Sequence, residues 1–264
     1  AGKNYEDSAI SFSANSIFSI TDNLKYSVGY SHVSRSPNMA ELFADGKHGP
    51  TNRYEKGDSN LKREISRDID LGIDYKLNNT LISFDIYRNN TNNYIYLRDL
   101  GTTNYDGDHQ DANWSQKDGV IQGYEISLEN SFLVGGTDVL LMMSRDDISA
   151  TFDDNTYFPR IPSASNMIDI TVFGEKNRIY SLNLTHFEKQ SDFSSIETKT
   201  NSHLDLSIKY SDKIALSNIY DLNINLFGSN LLDQTRRNHA SFVKAHVPLP
   251  GASFGFDVSV DYKF

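Results

Sequence analysis

The carboxyl-terminal stretch ASFGFDVSVDYKF, residues 252–264, decides the fold. Its apolar side chains alternate without a break with small or charged ones. The apolar set is Phe254, Phe256, Val258, Val260, Tyr262 and Phe264, and the set between them is Gly255, Asp257, Ser259, Asp261 and Lys263. Because successive side chains of a β-strand point to opposite faces, this period of two predicts a strand with one apolar and one polar face.

The same period recurs along the whole chain and indicates about eleven strands. Clear examples lie at residues 24–30, 69–75, 124–128, 204–210 and 222–226. A tilted strand needs about 9–11 residues to cross a bilayer, and we interpret these strands as that long. Strands of soluble sandwiches are usually about five or six residues long. A soluble sheet also alternates, so the period alone does not separate the two fold classes.

The connections between the strands favour a membrane barrel. Short turns are predicted at residues 21–23, 77–79, 134–137, 174–177 and 211–213, and long polar segments at 34–63, 89–118, 145–163, 188–200 and 228–250. Short and long connections alternate strictly, as they do in outer-membrane barrels with short periplasmic turns and long extracellular loops. The sequence therefore predicts an all-β fold, a transmembrane antiparallel β-barrel.

The number and direction of the strands predict that the complete barrel has more strands than this chain supplies. A first strand near residues 6–20, followed by a short turn, starts at the extracellular side. Bacterial barrels have an even number of strands and both termini in the periplasm. We therefore expect residues 1–264 to be the C-terminal part of the barrel, without a signal peptide.

Composition and motifs exclude several other classes. The net charge is −10, which provides no electrostatic footprint for nucleic acid but attracts cations. The chain has no cysteine, so any metal ion must be bound by His, Asp and Glu. No Gly-rich phosphate loop or serine triad motif is present, and we predict no enzyme activity. No run of roughly 18 apolar residues predicts a transmembrane helix.

Two polar segments contain candidate metal ligands. The segment ADGKHG, 44–49, includes Asp45 and His48, and the segment YDGDHQDANW, 105–114, includes Asp106, Asp108, His109 and Asp111. Zinc binds imidazole and carboxylate groups at about 2.0–2.2 Å and usually takes four ligands. An acidic loop with one histidine is more often simply solvated, so both interpretations stay open at this point.

Two long segments resemble TonB-dependent outer-membrane receptors. They are SRSPNMAELFADGKHGPTNRYEKGDSNLKREISRDIDLGIDY, 34–75, and NLLDQTRRNHASFVKAHVPLPGASFGFDVSVDYKF, 230–264. The resemblance implies a barrel of about 22 strands with a plugged lumen, of which this chain is the C-terminal half. It also implies that the plug domain, which contacts the TonB energy-transducing complex, belongs to an N-terminal part that is absent here.

Within that class, ELFADGKHGPTNRYEKGDSNL, 41–61, and FVKAHVPLPG, 242–251, are most similar to zinc-uptake receptors of the ZnuD type, and DANWSQKDGVIQGYEI, 111–126, is similar more loosely. The resemblance implies an energy-coupled importer in the bacterial outer membrane, with zinc as the transported ligand and with lipid, lipopolysaccharide and the TonB complex as partners. The zinc receptors have a second histidine where this chain has Asp45. A haem or ferric-siderophore receptor and a non-transporting surface barrel are the alternatives.

The remaining histidines are weaker candidates for metal ligands. Three of them, His32, His186 and His203, lie in or beside predicted strands, where a histidine facing the lumen or the membrane interface is the simpler interpretation. The other two, His239 and His246, lie near Arg236 and Arg237 in the last long loop. There, a contact with lipopolysaccharide or with the plug is as plausible as a metal ion.

Overall fold

The computed structural model describes residues 8–262, which form one 13-stranded sheet. The strands are β1 Phe12–Thr21, β2 Leu24–Arg35, β3 Asp45–His48, β4 Arg53–Lys56, β5 Glu64–Leu77, β6 Thr80–Asp99, β7 Gln110–Val134, β8 Thr137–Phe152, β9 Ser165–Phe173, β10 Ile179–Phe187, β11 His203–Ala215, β12 Tyr220–Ser229 and β13 Ser253–Tyr262. The helical pieces are α1, Met39–Phe43, and a 3₁₀ turn, Glu175–Asn177.

Eleven of the strands pair with their neighbours in chain order, and the sheet is open, with β1 and β13 at its edges. The short strands β3 and β4 form a hairpin outside this path. The predicted all-β fold of about eleven strands is therefore confirmed. Residues 6 and 7 of the predicted first strand, and Lys263 and Phe264 of the last, lie outside the described residues.

All the long connections lie at one end of the sheet, here called the loop end, and all the short ones at the other, the turn end. The long loops are L1, 36–63; L2, 100–109; L3, 153–164; L4, 188–202; and L5, 230–252. A two-residue turn joins β7 to β8 through Gly135 and Gly136, whose φ angles of 58° and 84° favour glycine. The predicted alternation of short and long connections is confirmed.

Two details of the predicted connections are wrong. Residues 211–213 continue β11, and the turn lies at 216–219. The charged side chains there are not turn residues, because Asp212 accepts a hydrogen bond from Arg178 at 3.3 Å and Lys213 forms an ion pair with Asp221 at 3.2 Å. Loops L2 and L3 are also shorter than predicted, because β6, β7 and β8 extend into the segments predicted as loops. The added part of β7 is mostly polar, whereas those of β6 and β8 include the buried Ile95, Tyr96 and Phe152. Backbone pairing does not require apolar side chains.

The register separates an apolar face from a polar face across the sheet. Val28, Leu71, Ile86 and Tyr124 lie in one row on neighbouring strands, and the first three are 44%, 43% and 40% exposed. A soluble sheet would bury such a face beneath a second layer, and no second layer covers it within residues 8–262. No helix in the same range has both the length and the apolar character to cross a membrane.

The clusters of buried apolar residues lie at the loop end. One cluster contains Tyr96, Ala150, Phe152 and Phe158, and a second contains Leu42, Leu61 and Ile95. Phe158, which is fully buried, stacks on Phe152 with ring centroids 4.0 Å apart. A Cβ atom on Gly119 would lie 2.6 Å from the Phe158 ring, so glycine is required at this close approach. These clusters hold the bases of the loops in place.

Replacing Phe158 by Ala in the full-length protein is expected to destabilise L3. The change removes a fully buried ring from an aromatic cluster, and such changes cost about 3–5 kcal/mol. Hydrogen exchange of the backbone amides in 153–164 measures the local free energy of opening. The control is Tyr157→Ala, because that neighbouring side chain is 37% exposed. Equal protection in the two variants would show that the cluster does not hold this loop.

Candidate functional site at the loop end

Loop L1 is anchored to the sheet by a capped helical turn. The Asn38 side chain accepts a hydrogen bond from the Glu41 amide at 3.0 Å, and Glu41 accepts one from the Asn38 amide at 2.8 Å. This reciprocal capping box satisfies donors at the start of α1. Arg35 then donates to both oxygens of Glu41 at 2.9 Å and to Glu64 of β5 at 3.0 Å. The segment from Arg35 to Glu41 thus fixes how L1 leaves β2.

The hairpin of L1 lies directly against L2. Strand β4 pairs in parallel with the first residues of β7, with Tyr54 opposite Asp111. The Tyr54 and Tyr105 rings meet edge to face at 5.6 Å, and the Lys56 ammonium lies 4.3 Å from the Tyr105 ring centroid. The two segments that carry the predicted metal ligands are therefore neighbours.

Asp45 and His48 do not share a face. They are three residues apart in strand β3, and an odd separation in a strand places two side chains on opposite sides. Asp45 accepts a hydrogen bond from the Tyr54 hydroxyl at 3.1 Å, which raises the pKa of that phenol. His48 lies on the other face. The prediction assumed a flexible loop at this point, whereas the hairpin fixes the two side chains apart.

His48 pairs with a residue that was not among the predicted ligands. Its Nδ1 atom lies 2.9 Å from Oε1 of Glu55, and the Thr51 hydroxyl donates to the same oxygen at 2.6 Å. Glu55 is buried, whereas the His48 ring is about half exposed. The segment GPTN, 49–52, is typical of a hairpin turn. Had β3 and β4 been predicted as paired strands around this turn, Glu55 would have been identified as a neighbour of His48.

In L2, Asp106 organises a local turn. It accepts hydrogen bonds from the amides of His109 and Asp108 at 2.9 Å and 3.0 Å, and its Oδ2 atom lies 3.0 Å from His109 Nδ1. The Lys47 ammonium lies 3.4 Å from Asp106 and 3.8 Å from the exposed Asp108. The hydrogen bond from the His109 amide, together with the other donors, holds the pKa of Asp106 well below its usual range.

Asp111 supports the loop itself. It is fully buried, and its two oxygens accept hydrogen bonds from the Thr102 hydroxyl at 2.5 Å and from the amides of Asn104 and Tyr105 at 2.6 Å and 3.0 Å. Burial alone would raise the pKa of this carboxyl, but the three donors outweigh it and the pKa is lowered. The Asp111 carboxylate is thus engaged in holding L2 together.

The six predicted ligands do not form a ready-made metal centre. Within residues 8–262, no group of three or more His, Asp or Glu side chains is arranged to hold a metal ion. Lys47 lies between the carboxylates of Asp106 and Asp108, on the same side of the hairpin as Asp45. His48 lies with Glu55 on the opposite side. Metal binding by these residues stays a prediction, and it requires the side chains to rearrange.

A buried ionic cluster joins loops L1, L3 and L5 to the end of strand β6 beside this hairpin. Arg53 of β4 donates to the two oxygens of Asp99 at 2.5 Å and 2.9 Å. Arg160 of L3 donates to the Leu97 carbonyl at 2.8 Å and lies 3.9 Å from the centroid of the Phe242 ring of L5. The Arg53 guanidinium lies 5.0 Å from the same ring. Phe242 is therefore held between two arginines that share one carboxylate.

L4 and L5 are joined by a second buried cluster. The Lys244 ammonium donates to Glu197 at 2.6 Å and lies 3.2 Å from Nε2 of His239, whose Nδ1 lies 3.0 Å from the Thr200 hydroxyl. Burial lowers the pKa of Lys244, although Glu197 opposes this. Burial, and then the charge of Lys244, lower the pKa of His239 to about 4. His239 is therefore neutral near pH 7, with Nε2 facing the ammonium as an acceptor.

The two clusters enclose a cavity of about 280 Å³ at the loop end. Its walls come from L1, L2, L3, L4 and L5, and its charged lining residues are Arg53, Asp99, Asp108, Arg160, Glu197 and Lys244. A cavity walled by every long loop is the natural candidate for a ligand-binding site. Of the residues that form the two clusters or line the cavity, the sequence singled out Asp108, His239 and His246. The others were missed because their contacts connect positions far apart in the chain.

Comparison with known families identifies the fold family. Residues 1–244 match the family described as TonB dependent receptor-like, beta-barrel. The chain belongs to this family. Its members are receptors, which agrees with the prediction that the chain is not an enzyme.

Solved structures of such receptors share the fold. The copper transporter OprC is 18% identical with a TM-score of 0.76 and matches 98% of this chain. A ferric enterobactin receptor mutant from Pseudomonas aeruginosa, in complex with enterobactin, is 17% identical with a TM-score of 0.70, and the siderophore receptor PirA from Acinetobacter baumannii is 19% identical with a TM-score of 0.66; each matches 96% of the chain. The match covers 40%, 40% and 41% of those three chains.

Two of the remaining histidines and both arginines of L5 have local partners. His32 stacks on Phe12 at 5.4 Å, and His203 stacks on Phe187 at 4.8 Å. In L5, Arg236 forms an ion pair with Asp205 and donates to the Pro250 carbonyl, and Arg237 donates to the Lys244 carbonyl. His246 is exposed and lines the cavity. The two L5 arginines therefore hold the loop itself.

Asp99→Asn in the full-length receptor is expected to release L5 from L1 and L3. The change leaves the two buried arginines without their carboxylate, and breaking a buried ion pair in this way costs about 3–5 kcal/mol. Hydrogen exchange of amides in 230–252 is the measurement. Asp153→Asn is the control, because Asp153 is exposed. If L5 stays as protected as in the parent, the arginine cluster does not hold it.

The contact between L4 and L5 is expected to weaken as the pH falls from about 6.5 to 4. In the closed loops the pKa of His239 is lowered from 6.5 to about 4, so the open state binds a proton first and acid favours opening. The contact is fully stable above pH 6.5. A fluorophore on a thiol introduced at the exposed Val247 reports the opening.

A His239→Gln variant is the control for this titration, since glutamine has no proton to gain in this range. The parent is expected to show a transition that the variant lacks. The same transition in both proteins would assign it to another group.

Proposed function

We propose that the chain is part of an energy-coupled outer-membrane receptor that takes up a metal ion or a metal complex. The observation that carries this proposal is the convergence of all five long loops on one cavity, at one end of a sheet whose outer face is apolar. Such a geometry suits capture of a ligand outside the cell, followed by passage along the polar face. Membership of the TonB-dependent receptor family supports it.

The apolar face is proposed to contact lipid. Its rows of half-exposed Val, Leu, Ile, Phe and Tyr side chains match the outward band of a membrane barrel. The loop end then faces the outside of the cell and the turn end the periplasm. The polar face, which carries Asp70, Asp74, Asp85 and Glu125, lines the lumen.

The rest of the receptor is proposed to close this sheet and to supply the plug. Within residues 8–262, strands β1 and β13 each pair with a neighbouring strand on one side only. A backbone group without a partner costs several kcal/mol in lipid. Additional strands would satisfy such groups. The plug domain, through which the TonB complex acts in this family, would then lie against the polar face.

Zinc is the first ligand to test. His48 with Glu55, and His109 with Asp106, are two pairs of a nitrogen and an oxygen donor at 2.9 Å and 3.0 Å on neighbouring segments. Zinc accepts both donor types. Copper(I) prefers sulfur ligands, and neither pair contains a sulfur atom. Each pair supplies two ligands, whereas zinc usually takes four. The other donors would come from the second pair, from Asp45 or Asp108, or from the rest of the receptor.

A ferric siderophore or haem is the alternative ligand. The observation in its favour is the cavity between the loops, where Arg53, Arg160 and Lys244 offer positive charge and Phe242 offers an aromatic surface. An anionic chelate would interact with such a wall. However, each of the three cations already has an acidic neighbour, so binding would have to separate these pairs.

His48→Ala is expected to weaken zinc binding by the full-length receptor about 10-fold or more, because it removes one ligand from a site of few. Isothermal calorimetry and the zinc-dependent shift of the melting temperature are the measurements. Glu55→Gln is expected to weaken binding in the same direction. His186→Ala is the control, since His186 lies on β10, away from L1, and its loss is expected to leave zinc affinity unchanged.

Three outcomes separate the alternatives. Unchanged zinc affinity in His48→Ala would remove the L1 pair from the proposal. Stabilisation by haem or a ferric siderophore, with no shift from zinc, would favour the alternative ligand. Binding of any of these without uptake by whole cells, in an assay that depends on the TonB complex, would indicate a non-transporting surface barrel.

A further inference from the structure

Two arginines lie on the outer face of the sheet, just on the loop side of the apolar band. In the register, Arg88 stands opposite the outward-facing Ile69, and Arg67 stands opposite Asn90. Arg67 and Arg88 are therefore diagonal neighbours on adjacent strands, with Cα atoms about 7–8 Å apart. Both side chains are exposed. They place two positive charges side by side at the upper border of an apolar surface.

The charge of these arginines is not neutralised by the protein. Arg67 donates to the side-chain oxygen of Asn92 at 2.7 Å, and Arg88 donates to that of Gln122 at 2.6 Å. Within residues 8–262, neither forms an ion pair. The nearby Arg145 on the same outer face differs, because it pairs with Glu188 at 2.5 Å and with Asp147 at 3.2 Å. In a chain of net charge −10, two cations without an acidic partner on an outward face are available to an anionic partner from outside.

An apolar groove begins directly below these charges. It has a volume of about 520 Å³ and includes Ile69, Leu71, Ile86 and Tyr124 in its walls, with Arg88 and Gln122 at its upper rim. Asp147, whose charge is paired with Arg145, and Ser149 also line it. A ligand that matches this surface has a hydrocarbon chain below and an anionic group above. Arginine binds phosphate well, because its planar fork donates two parallel hydrogen bonds and stays charged.

We infer that Arg67 and Arg88 bind the headgroup phosphate of a phosphorylated glycolipid of the outer leaflet, the lipid A part of lipopolysaccharide, with an acyl chain in the groove. The inference rests on the proposed outer-membrane function. It moves the lipopolysaccharide contact from L5, where Arg236 and Arg237 are engaged within the loop, to the wall formed by β5, β6 and β7. Two neighbouring guanidinium groups also suit a doubly charged phosphate better than one does.

The test compares the full-length receptor with the double variant Arg67→Gln/Arg88→Gln, both purified in mild detergent and freed of bound lipid. Binding of lipid A is measured by native mass spectrometry and by the lipid-dependent shift in melting temperature. The double variant is expected to bind lipid A about 10-fold more weakly than the parent. Lipid A from which the phosphates have been removed is expected to bind the parent with a similar loss.

The matched control is Lys25→Gln/Lys209→Gln, which removes two charges from exposed side chains on the opposite, polar face. It is expected to bind lipid A as the parent does. Equal lipid A binding by the parent and the arginine variant would overturn the inference, and so would equal binding of the two lipid forms. Competition by inorganic phosphate at the same concentration would overturn it too, by indicating a site for the free ion.

Failure of this inference and failure of the proposed function give different results. Ligand uptake by cells that produce the arginine variant is expected to match the parent, because the loop-end cavity is intact. If the receptor reaches the outer membrane and imports its ligand but fails the lipid tests, only the lipid site is wrong. A receptor that is absent from the outer-membrane fraction would contradict the proposed function itself.

Discussion

The register of the antiparallel ladder is the constraint on which the rest of this structure depends. Backbone hydrogen bonds fix which residues stand opposite each other, and a shift of one residue would turn every side chain to the other face. Here the register gathers the apolar residues on one face and carboxylates such as Asp70 and Asp85 on the other. The outward position of Arg67 and Arg88, and the end from which each loop leaves, follow from it.

The loop end is held by buried charges as well as by its apolar clusters. Arg53, Asp99 and Arg160 meet around Phe242, so residues from β4, β6, L3 and L5 share one contact. A buried pair of this type stabilises only while each charge is compensated. It is therefore suited to a set of loops that must hold a defined shape and still rearrange when a ligand separates the pairs.

The predicted metal ligands illustrate how a hairpin changes the chemistry of a segment. Asp45 and His48 are close in sequence, but the β3 strand turns them to opposite faces. Glu55, seven residues beyond His48, becomes its partner because the two strands pair. Asp111 looked like a ligand because it is acidic and near a histidine, whereas burial and three hydrogen-bond donors make it the support of L2.

The sequence alone determined the all-β fold, the strand count and the alternation of loops and turns, because the period of two is a local property of each strand. It misplaced the turn near Asp212 and the loop-side ends of β6, β7 and β8, where polar runs such as NNTNN, 89–93, interrupt the period of two. Only the tertiary structure decided which residues form the loop-end clusters. Arg53 and Phe242 are separated by most of the chain, and a contact of that kind exists only once the intervening strands have paired.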